Sequence, residues 1–100
     1  MKRNLKKELL YFNGEPLKDE KKAPVLINDV LGKALFEVST SVGLSPEEKY
    51  QAFKISQRIA ANPEAVELES NDIVLIRKVM APSFSAGIYG QIVDLLEKGK

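Results

Sequence analysis

The first side chains able to take part in recognition chemistry lie at the start of the chain. Four cations are followed closely by two aromatic residues: Lys2, Arg3, Lys6, Lys7, Tyr11 and Phe12. Cations neutralise phosphates and aromatic rings stack on bases, so this pattern is typical of an arm that contacts nucleic acid. The same pattern also fits a solvated tail. The chain has 15 basic and 14 acidic residues, so its net charge is only +1. Such a small charge does not attract the whole protein to a polyanion or an anionic membrane.

Three later cations, Arg58, Arg77 and Lys78, could line a pocket for a nucleotide or another small anion together with Tyr50. No glycine-rich phosphate-binding loop accompanies them, so the fold would have to bring them together. The stretch from Gly87 to Gly90 fits the GxxG pattern with which KH domains clamp a nucleic-acid backbone. Its two middle residues are apolar rather than basic, which favours a packing role in which Ala86 and Gly90, four residues apart on one helix face, permit the close approach of another helix.

Four carboxylates crowd one short segment and could suggest a cation site: Glu64, Glu67, Glu69 and Asp72. Their spacing does not match a calcium-binding EF-hand loop, and helix capping together with a solvated strand face explains them. The chain contains no histidine and no cysteine. It therefore lacks the side chain most often used for acid–base work near neutral pH and has no thiol nucleophile. We predict no enzymatic activity, no catalytic residue, no metal and no cofactor.

A predicted pair of C-terminal helices over residues 70–96, broken at Ala81-Pro82, supplies the densest apolar run in the sequence. The second helix carries more apolar residues than one interior face can use, which is typical of an interface with a partner or a second copy. The predicted interface consists of Phe84, Ile88, Tyr89 and Gln91, with Tyr11 and Phe12 as a second choice. In a competing interpretation, an N-terminal β element covers this second face and the protein is a monomer.

The elements that must position these residues form a single α+β domain over residues 1–100 that is mostly α-helical. We predict a short N-terminal β-hairpin or meander followed by four helices packed as a small bundle. Residues 1–8 are expected to be a basic, flexible start because they lack helical periodicity. Residues 9–26 form the β element, with a tight turn at Asn13-Gly14, and residues 28–98 form the bundle.

Local signals predict where the helices begin and end. Asn28 or Asp29 is the expected N-cap of the first helix. Ser45-Pro46-Glu47-Glu48 combines the serine and glutamate of a capping box with a proline at the first helical position, so a second helix begins after the serine. Its predicted inward face is Ala52, Phe53, Ile55, Ile59 and Ala60. Gly32 is expected to permit the close approach of another backbone, and Gly99 to end the last helix.

The sequence also bears on the compartment of the protein. No stretch approaches the roughly 20 apolar residues of a membrane span. The first apolar run, Leu9 to Phe12, is too short for the core of a signal peptide. The absence of cysteine fits a reducing compartment, so we expect a cytoplasmic protein.

The order of several short segments resembles a type of small protein encoded in tailed-bacteriophage and prophage gene sets. These segments are Asn13 to Leu17, Leu26 to Leu35, Ala52 to Ile55 with Ile59, Asp72 to Lys78, and Gly90 to Leu96. The resemblance implies a viral origin and a short non-enzymatic role in the host cytoplasm, as a host-factor inhibitor, an accessory regulator or an assembly helper.

The sequence therefore predicts a small protein-binding module that associates with a protein partner, with itself, or with both, through an apolar surface on its C-terminal helices. The alternative hypothesis is a binder of nucleic acid or of a small anionic nucleotide. That binder would use the basic start of the chain together with Arg58, Arg77 and Lys78.

Overall fold

The computed structural model describes residues 1–38 and 43–98, and within them it contains four helices and one two-stranded antiparallel sheet. The helices are α1 (Ile27–Phe36), α2 (Pro46–Ala61), α3 (Ser70–Met80) and α4 (Ala86–Lys98), and the strands are β1 (Lys2–Arg3) and β2 (Val66–Glu67). The predicted fold class, mostly α-helical with a small β part, is confirmed. The prediction for Gly99 lies outside the described residues. Every helix in the two described ranges is too short or too polar to cross a bilayer.

The start of the chain is anchored to the fold, which corrects the prediction of a flexible segment over residues 1–8. β1 pairs with β2 in an antiparallel register. Just after β1, Leu5 is fully buried, and its amide donates to the Pro63 carbonyl at 2.8 Å. Periodicity could not reveal this anchor, because one buried side chain and a few backbone hydrogen bonds hold the segment without a repeating apolar pattern.

α1 begins at Ile27 and has no side-chain hydrogen bond at its N-cap. The free amides of its first turn donate to the N-terminal segment instead. Ile27 N donates to the Lys7 carbonyl (2.8 Å) and Asn28 N to the Leu5 carbonyl (2.9 Å). The prediction of a cap at Asn28 or Asp29 is therefore wrong, because a neighbouring backbone segment satisfies the donors that a side-chain cap would otherwise satisfy.

The predicted three-segment β element is present and closes into a ring of backbone hydrogen bonds. Leu9 N donates to the Val25 carbonyl (2.9 Å), Val25 N to the Leu17 carbonyl (2.9 Å), and Leu17 N to the Leu9 carbonyl (2.8 Å). The segments are joined by isolated β-bridges rather than by continuous strands. Such a short element cannot stand alone and must pack on the helices.

The two turns of this element have the same hydrogen-bond pattern, eight residues apart. Tyr11 N donates to the carbonyl four residues ahead (2.8 Å), and Asp19 N does the same in the second turn (2.9 Å). Each turn also contains one residue with positive φ, Gly14 at 87° and Lys22 at 62°. The repeat is hidden in the sequence because the two turns share backbone geometry but few side chains.

The core is shared by the four helices and the N-terminal segments. Its fully buried apolar side chains include Leu5, Leu9, Leu31, Leu35, Ile55, Leu68, Ile76, Met80, Ile92 and Leu96. α1 packs more extensively on α2 than on any other element. The predicted capping box of α2 is confirmed, since Glu48 N donates to Ser45 Oγ (3.1 Å) and Ser45 N donates to Glu48 Oε1 (3.0 Å).

Candidate protein interface

The predicted interface on α4 is partly covered by the protein itself. Phe84, Ile88 and Tyr89 are half-buried and pack against the core. The Tyr89 hydroxyl accepts a hydrogen bond from Arg77 Nε at 3.4 Å, and this contact, together with nearby Glu97, raises the pKa of the Arg77 guanidinium. These side chains therefore leave less apolar surface for a partner than the sequence indicates.

Gln91, the fourth predicted contact residue on α4, joins this helix to the β element. Its Nε2 donates to the Leu10 carbonyl (2.8 Å) and its Oε1 accepts from Leu10 N (2.8 Å). The side chain thus pairs with Leu10 as a neighbouring strand would. Its Nε2 also donates to the Gly87 carbonyl at 3.0 Å. These bonds support the interpretation in which the β element covers the second face of α4.

We expect Gln91→Ala to loosen the β element from α4. Loss of the paired hydrogen bonds to Leu10 should cost about 1 kcal/mol, which corresponds to about fivefold faster hydrogen exchange at the Leu10 amide through local opening. Exchange followed by nuclear magnetic resonance measures this rate. Asp94→Ala, at an exposed position on the same helix, is the matched control, because it leaves the Gln91 acceptor for Leu10 N–H in place and should stay within about twofold of wild type. Equal acceleration in the two variants would contradict the role of this acceptor.

The three cations of the predicted anion pocket are held by different carboxylates. The pairs are Arg58 with Asp72 (3.2 Å), Arg77 with Glu97 (3.5 Å) and Lys78 with Glu48 (3.2 Å). The pKa of the Glu48 carboxyl lies below its ordinary value because it accepts from the Ser45 amide and lies beside Lys78. The structure therefore places the three cations in separate ion pairs and does not gather them around one site.

Charged residues at the start of the chain also make contacts within the fold. These contacts are Arg3 Nε to the Leu96 carbonyl (3.0 Å), Lys6 to Glu64 (3.7 Å) and the N-terminal amine to Glu67 (3.6 Å). Lys2 and Lys7 are exposed. Much of the acidic segment between Glu64 and Asp72 therefore neutralises cations of the same molecule.

The exposed aromatic cluster on the described helices lies on α1 and α2. It consists of Phe36, Tyr50 and Phe53, which we call the aromatic face, and their exposed fractions are 66%, 61% and 39%. The ring centroid of Phe53 lies 6.3 Å from that of Phe36 and 6.3 Å from that of Tyr50. Lys54 Nζ lies 5.7 Å from the centroid of the Tyr50 ring. The three rings form one continuous apolar surface with a cation at its edge.

The prediction that Phe53 and Ala60 face inward is wrong, because α2 presents a slightly different face to the core. Its buried residues are Ala52, Ile55, Ser56 and Ile59. Ser56 can occupy a buried position because its Oγ donates to the Phe53 carbonyl at 2.6 Å, which satisfies the hydroxyl within the helix. With Ser56 turned inward, Phe53 and Ala60 are exposed.

A groove of about 470 Å³ runs between α1 and α2 next to the aromatic face, and its lining includes Gly32, Phe36 and Ala60. A Cβ added at Gly32 would lie 3.6 Å from Ile59 Cγ2, which is an ordinary contact distance. The glycine therefore does not serve the predicted close approach of two backbones. Its missing side chain leaves the floor of the groove open.

Phe12 and Tyr11, the second-choice interface residues, project from the first turn of the β element. Phe12 is 99% exposed and Tyr11 is 60% exposed. The residue at the position of Phe12 in the second turn is Glu20, which is also exposed. The backbone of this turn therefore does not require an aromatic side chain at Phe12.

Sequence reasoning missed Phe36 and considered Tyr50 only for the anion pocket, although a signal for an aromatic surface exists at each. Phe36 lies outside the face of α1 on which Ile27, Leu31 and Leu35 recur. Tyr50 belongs to a second stripe on α2, on the side opposite its buried residues. An apolar residue outside the main stripe of an amphipathic helix is the pattern that indicates such a surface.

Comparison of the chain with protein-family models, with curated proteins and with solved structures found no match. The function is therefore inferred from the surface geometry of the molecule itself.

Proposed function

We propose that this protein is a small non-enzymatic protein-binding module that acts through the aromatic face of α1 and α2. The observation that carries the proposal is the exposure of three aromatic side chains, two of which contact the third, Phe53, on helices whose packing does not need them. α1 and α2 are held together by fully or almost fully buried residues such as Leu35, Ile55 and Ile59. Aromatic residues are enriched at interfaces because they bury a large apolar area with few rotatable bonds.

The size of the surface supports the proposal. From their exposed fractions, the three rings together present roughly 300 Å² of surface. That value reaches the range of the largest apolar patch on a typical monomer, which is often functional. The groove between the helices extends the same surface and could receive a side chain of the partner.

The resemblance to small phage and prophage proteins supports a role through occupation of a partner's surface in the host cytoplasm, as an inhibitor, a regulator or an assembly helper. The alternative hypothesis, binding of nucleic acid or a nucleotide, receives less support from the geometry. Arg58, Arg77 and Lys78 are in separate ion pairs, so an incoming phosphate would have to displace three carboxylates.

A photo-crosslinking experiment tests the proposal. Tyr50 is replaced by p-benzoylphenylalanine, and bacterial cells that express the full chain are irradiated. We expect discrete protein adducts, because Tyr50 lies at the centre of α2's outer side and is 61% exposed. The matched control carries the same residue at Val74, which is 67% exposed on α3, outside the aromatic face, and should give none of these adducts.

Added Phe36→Ser and Phe53→Ser changes should abolish the adducts at position 50, while circular dichroism confirms that the helices are retained. The absence of any adduct at position 50 would overturn the proposed function. Adducts that a nuclease digests would also overturn it and would favour the nucleic-acid alternative.

A further inference from the structure

We infer that the partner that covers the aromatic face is a second copy of this chain, with the two α2 helices packed antiparallel across a two-fold axis. The inference rests on the proposed function and names its partner. It depends on three properties of α2: the spacing of its outer residues, the charges along one edge of these residues, and the area that a dimer would bury.

The outer residues of α2 have the spacing of a helix–helix seam. Pro46, Tyr50, Phe53, Gln57 and Ala60 are exposed, and successive members are separated by four, three, four and three residues. This alternation keeps side chains in one line along a helix and is the spacing with which one helix packs against another. A second helix laid along this line would cover Tyr50 and Phe53 together.

The charges beside this line favour an antiparallel partner. Glu47 and Lys54 lie seven residues apart, two helical turns along one edge of the line. A two-fold axis near Tyr50 and Gln51 places Glu47 of each copy opposite Lys54 of the other. Two ion pairs would result, because an antiparallel two-fold arrangement brings the same edge of both helices together.

Both residues are available for such pairing. Among the ion pairs of the described residues, none includes Glu47, Lys54 or Lys49, which borders the opposite edge of the line, whereas Glu48 and Arg58 are paired with α3. Lys54 also lies over the Tyr50 ring. A dimer would therefore gain the two symmetric pairs without breaking an ion pair of the monomer.

The area available sets the expected strength. The aromatic faces of two copies would together contribute roughly 600 Å². The flanking exposed residues of α2 bring the total close to the roughly 1,000 Å² that a specific interface requires. This is the low end of the range for a specific interface, so we expect a dissociation constant of about 1–100 µM.

Sedimentation equilibrium of the full chain between about 1 and 500 µM, a range that brackets this constant, tests the arrangement. We expect the mass to rise from 11.1 kDa towards twice that value with concentration. Glu47→Lys and Lys54→Glu should each weaken the dimer about tenfold, because each change sets like charges at both symmetric positions. The double variant restores opposite charges and should return to within about threefold of wild type. Glu20→Lys, the same charge change on a distant turn, should have no effect.

Phe53→Lys should abolish dimerisation while it retains the helical circular dichroism signal, because Phe53 lies outside the core. A wild-type chain that remains a monomer at about 500 µM would overturn the inference. Failure of the double charge variant to recover would overturn the antiparallel arrangement. Either result leaves the proposed function intact if position 50 still crosslinks to a different protein, since that adduct has a mass other than twice that of the chain.

Discussion

Replacing Leu5 by alanine is expected to lower the free energy of unfolding by about 3 kcal/mol. Leu5 is fully buried although it lies only two residues beyond β1, so the change removes apolar contacts and leaves a cavity in the core. Its carbonyl also receives the Asn28 amide at the start of α1, so movement of this segment would expose the first turn of that helix. Because a small domain has a total stability of only about 5–15 kcal/mol, the loss would be a large fraction of it. Urea denaturation followed by circular dichroism measures this change.

The matched control for this prediction is Lys2→Ala, which lies in β1 but is exposed. Its side chain can be removed without a cavity, and the backbone pairing with Glu67 remains. We expect a change of less than about 0.5 kcal/mol. If Leu5→Ala lowered the free energy of unfolding as little as Lys2→Ala does, the start of the chain would not be part of the cooperative core.

The contrast between Leu5 and the capping box of α2 shows which parts of the fold the sequence could predict. Ser45 and Glu48 bond to each other within four residues, so their pattern alone predicts the start of α2. Leu5 is buried by residues distant in sequence. Its carbonyl accepts from the Asn28 amide, more than twenty residues later in the chain, so the first turn of α1 does not depend on the predicted side-chain cap. Local hydrogen bonds can be predicted from local sequence, whereas the burial of a single residue by distant segments cannot.

The candidate site shows the same division. The sequence identified an apolar surplus on α4 but left open whether the β element or a partner covers it, because Gln91 and the β element meet across 81 residues. On α2 the apolar pattern predicts an inward face that includes Phe53, because Ser56 is polar and is therefore expected to face solvent. Its hydroxyl is satisfied by the backbone of its own helix, so Ser56 lies inward and Phe53 outward. The aromatic face therefore depends on how α2 is rotated in its packing on α1, which local sequence does not determine.

The buried carboxylate of Asp72 connects three parts of the fold. One oxygen accepts from Gln51 Nε2 (2.9 Å), and the other accepts from the Glu69 amide (3.0 Å) and from Arg58 Nη1 (3.2 Å). The side chain is 7% exposed. Burial raises the pKa of Asp72, but the hydrogen bonds from Gln51, Glu69 and Arg58 outweigh it and hold the pKa below its ordinary value. The ionised form is therefore the one that the fold stabilises.

This shift determines how stability depends on pH. Because the folded-state pKa is lower than that of the unfolded chain, about 3.9, the unfolded state binds more protons in this range. The contribution of Asp72 is fully present above the unfolded pKa and is lost as the pH falls through the folded one.

Asp72→Asn is expected to lower the free energy of unfolding by about 2 kcal/mol at neutral pH, because hydrogen bonds to a charged acceptor are lost and an amide cannot accept from all three donors. At a pH below the folded pKa of Asp72, the wild-type carboxyl is also neutral, so the difference between the two proteins should shrink towards zero. Urea denaturation at a series of pH values from 7 downwards measures this difference. Glu20→Gln, at an exposed turn, should match wild type at every pH. A difference between Asp72→Asn and wild type that stays constant down to the lowest pH would show that the effect comes from the shape of the side chain and not from its charge.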